Sequence, residues 1–343
     1  MSQSSGGSSA SGGSGGTAAT GGTAPNTGGT GASSGGSGGT GGSGTGGVAT
    51  GGTPGVGGSN TGGTGGVGPG GAGGAAGAPG DGGASGASGS AGTGGASTGS
   101  EGCEQPTDLA TASWVETAVD VGGNMRPYSV WLPTGYDPAR VYPVIFLLHG
   151  CGSGTNNPPL QNATGGDAIL VRGTGSDGSC WNTDANGPDI PYIDAMVADV
   201  KARFCANTSA FFAVGYSSGS WLASQLGCMR SDVFRGLATV TGGLPPVSNC
   251  KDTPIAQMFV HDVDDNDNLI EWNEPARDRL LALNGCDMPP SSTPVDPSPC
   301  VSYQGCEPGY PVVWCATSGQ GHARQDGLVV PAFWNFFQSL MED

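Results

Sequence analysis

Residues 1–100 contain no lysine, arginine, cysteine or aromatic side chain, and Val48, Val56 and Val67 are their only branched aliphatic residues. A segment of Gly, Ser, Thr and Ala without large apolar side chains cannot bury a core, so we expect a flexible coil. Its root-mean-square reach would be about 50–60 Å, which suits a spacer that holds a domain away from a surface. Low-complexity sequence without a role is the alternative. We therefore divide the chain into a disordered Gly/Ser/Thr-rich linker, 1–102, and a second part long enough for one large domain, 103–343.

Basic residues are scarce in the whole chain, with 11 Lys and Arg against 28 Asp and Glu and a formal net charge of −17. This excess of acid argues against nucleic acids and anionic membranes as partners. Apolar runs long enough to span a bilayer are missing as well. The start Met1-Ser2-Gln3 lacks the apolar segment of a secretion signal.

Cysteines are missing from the linker, and all ten lie in the second part of the chain, where no two are spaced as CxxC. Because there is no CxxC pair and the histidines are far from paired cysteines, the spacings do not fit zinc sites, and an even, high count indicates disulfide bonds. Disulfides form in oxidising compartments. We therefore expect a protein that is secreted or tethered at the cell surface, although no signal peptide is visible.

Ser217 is the best candidate nucleophile in the chain. It lies in Gly215-Tyr216-Ser217-Ser218-Gly219, directly after the apolar run 210–214 and before a segment with helical spacing of apolar residues. A serine on a sharp strand-to-helix turn has an exposed Oγ and a backbone N–H donor beside it, as acyl transfer requires. The linker contains the same G-x-S-x-G pattern, but there it follows no strand and opens no helix.

The candidate base is one of only three histidines. His149 ends an early strand, at the position that supplies an oxyanion N–H in hydrolases of this chain order. His261 follows an apolar strand and is interpreted as a packing or loop-shaping residue. His322 is the last histidine, in a glycine-flanked loop after the strand near 311–316, and we predict that it is the base for Ser217.

The candidate acid lies between Ser217 and His322. The stretch after His261 contains four aspartates just past a strand end, and their spacing alone does not choose among them. An EF-hand calcium loop is the alternative for this stretch, but its glycine position holds an aspartate and its closing glutamate position holds an asparagine.

The pattern of apolar residues predicts an α/β fold with a mostly parallel, eight-stranded sheet flanked by helices. The predicted strands are 113–119, 127–132, 143–148, 168–172, 210–215, 235–241, 255–261 and 311–316, and the predicted helices are 189–204, 218–229, 273–284 and 331–341. In this arrangement Ser217 follows the fifth strand, the acidic stretch the seventh and His322 the eighth. These are the usual triad positions of the α/β-hydrolase fold.

From roughly residue 110 to 341 the chain resembles secreted feruloyl esterases of carbohydrate esterase family 1 and the related polyhydroxybutyrate-depolymerase-type esterases. The similar segments are 148–151, 203–205, 215–219, 226–228, 321–322 and 333–337. The resemblance implies an α/β-hydrolase with Ser217 and His322 in its triad. The family's acid lies four residues after a histidine, which selects Asp265, although Asp262 stands where the family usually has glycine.

The expected chemistry is ester hydrolysis through an acyl-enzyme, without metal or organic cofactor. The N–H groups of Ser218 and of Cys151 or Gly152 would bind the oxyanion. Aromatic residues near the predicted strand ends could stack on a feruloyl ring, with core packing as the alternative for each. These residues are Trp181, Tyr216, Trp221 and Trp272.

The expected substrate is an ester on plant polysaccharide, as the resemblance implies. A polyester depolymerase, an acetyl xylan esterase and a non-catalytic surface-binding protein are the alternatives. Two disulfides follow from the predicted elements: Cys205 with Cys228, on the strand and helix that meet at Ser217, and Cys151 with Cys180, after two strand ends on the catalytic side.

Overall fold

The structure is a computed structural model, and it describes residues 99–152, 154–245 and 250–342. The predictions for the linker up to residue 98 lie outside the described residues. The first described residue, Gly99, forms a β-bridge with Asn207. Backbone N–H groups of Ser100 and Gly102 donate to Ala206 O at 3.0 Å and to Lys201 O at 2.8 Å. Residues 99–102 therefore pack on the domain.

Within the described residues, ten strands form one sheet, accompanied by four α-helices and one 3₁₀ turn. The elements in chain order are β1 Trp114–Val121, β2 Asn124–Trp131, β3 Tyr142–Leu148, β4 Ile169–Gly173, α1 Asp189–Arg203, β5 Ala206–Tyr216, α2 Ser218–Met229, β6 Gly236–Val240, β7 Ala256–Asp262, the 3₁₀ turn Ile270–Trp272, α3 Glu274–Leu283, β8 Ser292–Pro294, β9 Cys300–Tyr303, β10 Val312–Thr317 and α4 Asp326–Glu342.

The strand order in the sheet is β1-β2-β4-β3-β5-β6-β7-β10-β9-β8. The six central strands, β4-β3-β5-β6-β7-β10, pair with one another in parallel. The two strands at each edge of the sheet, β1 and β2 on one side and β9 and β8 on the other, pair with their neighbours in antiparallel fashion. Every residue of β6 and β7 is buried, as expected of parallel strands that are covered on both faces. Because parallel strands share a direction, their carboxyl ends bring the loops that follow them to a single edge.

Two apolar layers cover the two faces of the sheet. One includes Ile190, Leu222 and Leu280 from α1, α2 and α3. The other includes Phe333 and Phe337 from α4, and the Phe337 ring stacks on Phe212 of β5 at 4.4 Å between centroids. The helices therefore enclose the parallel strands as α/β packing requires. In the described part of the chain, no helix has the length and hydropathy of a transmembrane span.

The sheet differs from the predicted eight strands at one edge, where β8 and β9 were not predicted. Both are short, three and four residues, and they lie in a segment rich in proline, serine and cysteine without alternating apolar residues. β9 forms by antiparallel pairing with β10, and β8 by antiparallel pairing with β9, rather than from any local pattern. The predicted last helix also begins earlier, at Asp326, because Pro331 lies inside α4 rather than at its first turn.

Five disulfides lie in the described part of the chain, and one predicted pairing is wrong. The bonded pairs are Cys103–Cys205, Cys151–Cys180, Cys228–Cys250, Cys286–Cys306 and Cys300–Cys315. The structure thus joins Cys151 to Cys180 as predicted but does not join Cys205 to Cys228. The reason is the rise per residue: the 11 residues of β5 span roughly 36 Å, whereas the 12 residues of α2 span roughly 18 Å. The helix ends about halfway along the strand, far from Cys205.

Candidate active site

The turn between β5 and α2 holds Ser217 in a strained conformation. Its φ of +51° and ψ of −118° are rare for a residue with a side chain and cost about 1–3 kcal/mol. The turn is tight because two glycines allow it. A Cβ at Gly215 would collide with the Gly219 backbone, and a Cβ at Gly219 would collide with the Leu148 carbonyl. The G-x-S-x-G pattern is therefore a steric requirement, and the turn raises Oγ above the sheet.

Ser217, His322 and Asp265 form one hydrogen-bonded line across three loops at the carboxyl edge of the sheet. His322 Nε2 lies 2.9 Å from Ser217 Oγ, and its Nδ1 lies 2.8 Å from Asp265 Oδ2. A carboxylate only accepts hydrogen bonds, so Nδ1 carries the proton and Nε2 accepts the serine O–H. The Asp265 side chain is fully buried, whereas the His322 side chain is 20% exposed. The arrangement can deprotonate the serine and stabilise the imidazolium that results.

Backbone groups and a second histidine hold Asp265 in position. Its Oδ1 accepts the N–H groups of Asp267 and Asn268, each at 2.9 Å. His261 is buried beside it, with Nε2 at 2.8 Å from Asn268 O and Nδ1 at 3.2 Å from Asn273 Nδ2. Burial lowers the pKa of His261, which keeps the ring neutral. His261 therefore shapes the loop of the acid, as the sequence predicted.

Asp262 and Asp264 fasten the loop that carries His322. Asp262 Oδ2 accepts Thr317 Oγ1 at 2.9 Å and the Gln320 N–H at 3.1 Å, while Asp264 Oδ2 accepts the Gly319 N–H at 2.8 Å. Burial opposes the ionisation of Asp262, but the hydrogen bonds it accepts outweigh burial and lower its pKa. The acidic stretch therefore works as an anchor between two loops. Among residues 99–152, 154–245 and 250–342, no group of three His, Cys, Asp or Glu side chains could hold a metal ion.

The loop after β3 carries Cys151 and Gly152, the two alternatives that the sequence offered for one oxyanion donor. The Gly152 N–H donates to Ser179 O at 3.1 Å and the Gly150 N–H to Asn156 O at 2.9 Å. The Gly152 N–H is therefore already hydrogen-bonded within the loops. Ser218, the other residue predicted to donate, is the first residue of α2, so its N–H has no acceptor within its own helix.

His149 lies beneath this loop and is fully buried. Its Nδ1 donates to Gly150 O at 2.7 Å and its Nε2 accepts the Gly175 N–H at 3.1 Å. Burial lowers the pKa of His149, so the neutral ring serves both hydrogen bonds. The residue supports the loop that carries Cys151 from below.

No family model matches the chain. Curated relatives do match: feruloyl esterase D of Neurospora crassa is 29% identical over 69% of this chain and 89% of its own length. Feruloyl esterase C of Emericella nidulans is 30% identical over 63% of this chain and 85% of its own length. The chain belongs to the feruloyl esterase family. Among solved structures, an acetyl xylan esterase from Aspergillus awamori has the same fold, with a TM-score of 0.53 at 15% identity over 65% of this chain and 99% of that one.

Membership of the feruloyl esterase family makes this protein a carboxylic ester hydrolase with an α/β-hydrolase fold.

Two of the four aromatic residues proposed from the sequence are not available to a substrate ring. Trp181 is only 5% exposed, and its ring packs between His149 and Tyr192. Its Nε1 donates to His149 O at 3.1 Å, and its backbone N–H donates to Ser218 Oγ at 2.8 Å. Trp181 is therefore a core residue that supports the oxyanion loop.

Tyr216 is the second aromatic residue that is not available to a substrate ring, because its side chain is only 8% exposed and forms a hydrogen bond within the protein. Its hydroxyl donates to the His322 backbone carbonyl at 3.1 Å, and the two rings lie 5.6 Å apart. Burial raises the pKa of Tyr216, so the hydroxyl keeps its proton for this bond. Tyr216 positions the histidine of this esterase, a role that the sequence did not indicate.

Trp221 and Trp272, the other two of the four, form a pair with ring centroids 6.2 Å apart in an edge-to-face arrangement. Trp272 is 44% exposed, and Leu269 and Val263 near it in the loop after β7 are exposed too. These side chains form an open apolar surface on the same loop as Asp265. In a feruloyl esterase such a surface can receive the apolar part of an acyl group.

Proposed function

We propose that this protein hydrolyses esters between ferulic acid and plant polysaccharide, with Ser217 as nucleophile, His322 as general base and Asp265 as the acid of the triad. The observation that carries the proposal is the continuous line of hydrogen bonds, 2.9 Å from Ser217 Oγ to His322 Nε2 and 2.8 Å from His322 Nδ1 to Asp265. Family membership supports the ester chemistry, and the names of the relatives support the feruloyl group.

The reaction follows from the positions of these groups. His322 takes the proton of Ser217 as Oγ attacks the ester carbonyl, and Asp265 stabilises the imidazolium. The N–H groups of Cys151 and Ser218 donate to the oxygen that becomes negatively charged. The C–O bond to the sugar then breaks as the imidazolium protonates the leaving sugar oxygen, and a water activated by the same ring releases ferulate from the acyl-enzyme.

The apolar surface around Trp221 and Trp272 supports an aromatic acyl group. Trp272 is exposed beside a second tryptophan at 6.2 Å, and an edge-to-face pair of this kind presents both a ring face and a ring edge. Aromatic pairs in such geometry contribute about 0.5–1.5 kcal/mol beyond their buried area. An acetyl group has no ring to make this contact. We assign the surface to the phenyl ring of ferulate.

We further propose that the protein acts outside the cell. Five disulfides in the described part of the chain fit an oxidising compartment, as does a substrate in the plant cell wall.

The test compares Ser217→Ala with a matched serine variant of the same helix region. Ser224 lies in α2, and its buried hydroxyl has no hydrogen-bond partner among the described residues. We expect Ser217→Ala to lower kcat on methyl ferulate by roughly 10³-fold or more, while Ser224→Ala keeps both activity and fold. Turnover of Ser217→Ala near that of the wild type would end the assignment.

The substrate is tested by measuring methyl ferulate, acetylated xylan and hydroxybutyrate oligomers side by side on the wild-type protein. We expect methyl ferulate to have the highest kcat/KM, and Trp272→Ala to lower it with little effect on acetyl esters. Faster turnover of the oligomers would instead identify a polyester depolymerase, and faster turnover of acetylated xylan an acetyl xylan esterase. Hydrolysis of none of the three would leave the non-catalytic binding protein.

A further inference from the structure

Strands β1, β2 and β4 carry a row of polar side chains on the face of the sheet that α4 covers further along. Glu116 is paired with Ser129, and Ser129 with Arg172, so the three side chains lie side by side across the strands. Two residues further along the same face, Trp114 is paired with Trp131, and their rings lie 5.8 Å apart. Helix α4 packs on β5, β6 and β7, so side chains of the strands themselves form this part of the surface.

Among the described residues, Arg172 and Arg235 are the two arginines that pair with no carboxylate, and Arg235 donates to Gly309 O at 2.6 Å. Seven other arginines form ion pairs, namely Arg126, Arg140, Arg203, Arg230, Arg277, Arg279 and Arg324. Arg172 instead stacks on Trp114, with Cζ at 4.1 Å from the ring centroid. Burial lowers its pKa, and no neighbouring acid offsets this. An unpaired, partly buried cation is unexpected in a chain with a net charge of −17.

The guanidinium borders a polar cleft of about 270 Å³. Ser129, Thr155 and Thr174 also line this cleft, and Glu116 lies at its rim. Side-chain hydroxyls and an arginine in one small cleft can donate and accept several hydrogen bonds at once. The volume is just below the roughly 300–1,000 Å³ typical of drug-sized ligands, so it suits a single ring rather than a long chain.

The cleft lies on the same edge of the sheet as Ser217. Thr174 directly follows the carboxyl end of β4, and Thr155 lies on the loop after β3 that also carries Cys151. β4 is separated from β5 by β3 alone, which corresponds to a lateral distance of about 10 Å. A ligand bound there would be a near neighbour of a group bound at Ser217.

We propose that this cleft binds a carboxylate-bearing sugar, a uronic acid residue, of the polysaccharide that carries the ester. Arg172 binds the carboxylate through two parallel N–H···O bonds, the geometry that a guanidinium favours. Ser129, Thr155 and Thr174 bind ring hydroxyls, and Glu116 accepts a hydroxyl proton at the rim. The acidic remainder of the surface repels an anionic glycan, so binding is confined to this cleft. The substrate part of this inference rests on the proposed function, whereas sugar binding can be measured without it.

The direct test measures binding of glucuronate and galacturonate by calorimetry or NMR titration, with glucose and acetate as reference ligands. We expect a uronate to bind the wild-type protein more tightly than either reference, and Arg172→Met to weaken that binding about tenfold or more. Arg172→Lys keeps the positive charge but not the two parallel N–H donors of the guanidinium, so its affinity for the uronate should lie between those of the wild type and Arg172→Met. This variant also provides a test if Arg172→Met does not fold. Arg140 provides the matched control, because it also stacks on an aromatic ring, Tyr142, but pairs with Asp167. Arg140→Met should bind like the wild type.

A uronate that binds no better than glucose, or equally well to Arg172→Met, would overturn the inference. Acetate binding as tightly as the uronates would overturn the sugar assignment. In the activity measurement, Arg172→Met should keep kcat/KM on methyl ferulate but lose about tenfold on a feruloylated oligosaccharide that contains a uronic acid. Equal loss on both esters would contradict the proposal. If the wild-type protein did not hydrolyse methyl ferulate, the proposed function would be rejected, but the binding measurements would still test whether the cleft binds a uronate.

Discussion

Asp262 is buried, and its carboxylate accepts hydrogen bonds from Thr317 Oγ1 and the Gln320 N–H in the loop before His322. We predict that Asp262→Asn lowers kcat on methyl ferulate by about 10- to 100-fold, because an amide cannot accept all these bonds and the imidazole moves relative to Ser217. Asp265→Asn should cost more, roughly 10³–10⁴-fold, because it removes the partner of His322 Nδ1.

Asp267 is the control for both variants, since it lies in the same stretch with an exposed side chain. Asp267→Asn should keep the wild-type kcat. A loss with Asp262→Asn as large as that with Asp265→Asn would show that the acid of the triad has been assigned to the wrong aspartate.

His149 and His261 make stability depend on pH. Burial lowers the pKa of both, so the unfolded chain binds more protons than the folded chain. Their contribution is complete above about pH 6.5, the unfolded pKa, and is lost as the pH falls from there through the folded pKa. We predict that the free energy of unfolding, measured by urea denaturation, decreases between pH 7.5 and 5.5.

A variant without the titrating ring separates this effect from the carboxylates. The amide of His149→Gln can replace one ring hydrogen bond but does not titrate, so its stability should change less over the same pH range. An unchanged slope in His149→Gln would contradict the assignment to His149.

At the residue scale, the sequence patterns singled out Ser217 and His322, the family resemblance selected Asp265, and the structure brings these three side chains together. Those patterns are local, a tight turn or a strand followed by a loop. Whether an aromatic ring is buried depends instead on distant packing. Trp181 and Trp272 both lie near strand ends, yet His149 and Tyr192 cover only the first.

At the element scale, the parallel strands were predictable because burial on both faces makes each a continuous apolar run. The edge strands β8 and β9 carry no such signal, because half-exposed strands of three or four residues depend on their partner. The predicted Cys205–Cys228 disulfide was wrong because it requires a strand and a helix of similar residue number to have similar lengths in ångströms, which they do not have.

At the element scale, the Cys151–Cys180 disulfide can be tested for its effect on the loop after β3. The Cys151–Cys180 bond ties this loop to the loop after β4, and Gly152 N–H to Ser179 O adds a second tie. We predict that the Cys151→Ser, Cys180→Ser double variant lowers kcat on methyl ferulate at least tenfold, because one oxyanion donor loses its position. Complete loss of such a donor typically costs about 10²–10³-fold.

The Cys286–Cys306 bond offers a control of the same kind, since it joins two loops away from β3 and β4. Its double serine variant should keep kcat even if its melting temperature falls. Equal kcat for the wild type and the Cys151/Cys180 variant would show that the loop holds its N–H without the disulfide.

At the scale of the whole molecule, the boundary between the linker and the domain can be tested by truncation. Deleting residues 1–98 should leave kcat/KM on methyl ferulate unchanged and the melting temperature within a degree or two, because that segment has no aromatic or basic side chain and only three valines. A large loss of activity would mean that the linker is part of the site.

Deleting five residues more should have a different result, because Cys103 is then lost. Its bond to Cys205 spans 102 residues, and a disulfide that closes so long a loop stabilises a domain by about 2–4 kcal/mol or more. We predict that the protein starting at residue 104 melts about 4–16 °C below the protein starting at residue 99. Cys103→Ser in the longer protein separates the disulfide from the hydrogen bonds of Ser100 and Gly102. If Cys103→Ser melts like its parent while the shorter protein does not, the backbone contacts rather than the disulfide hold this end of the domain.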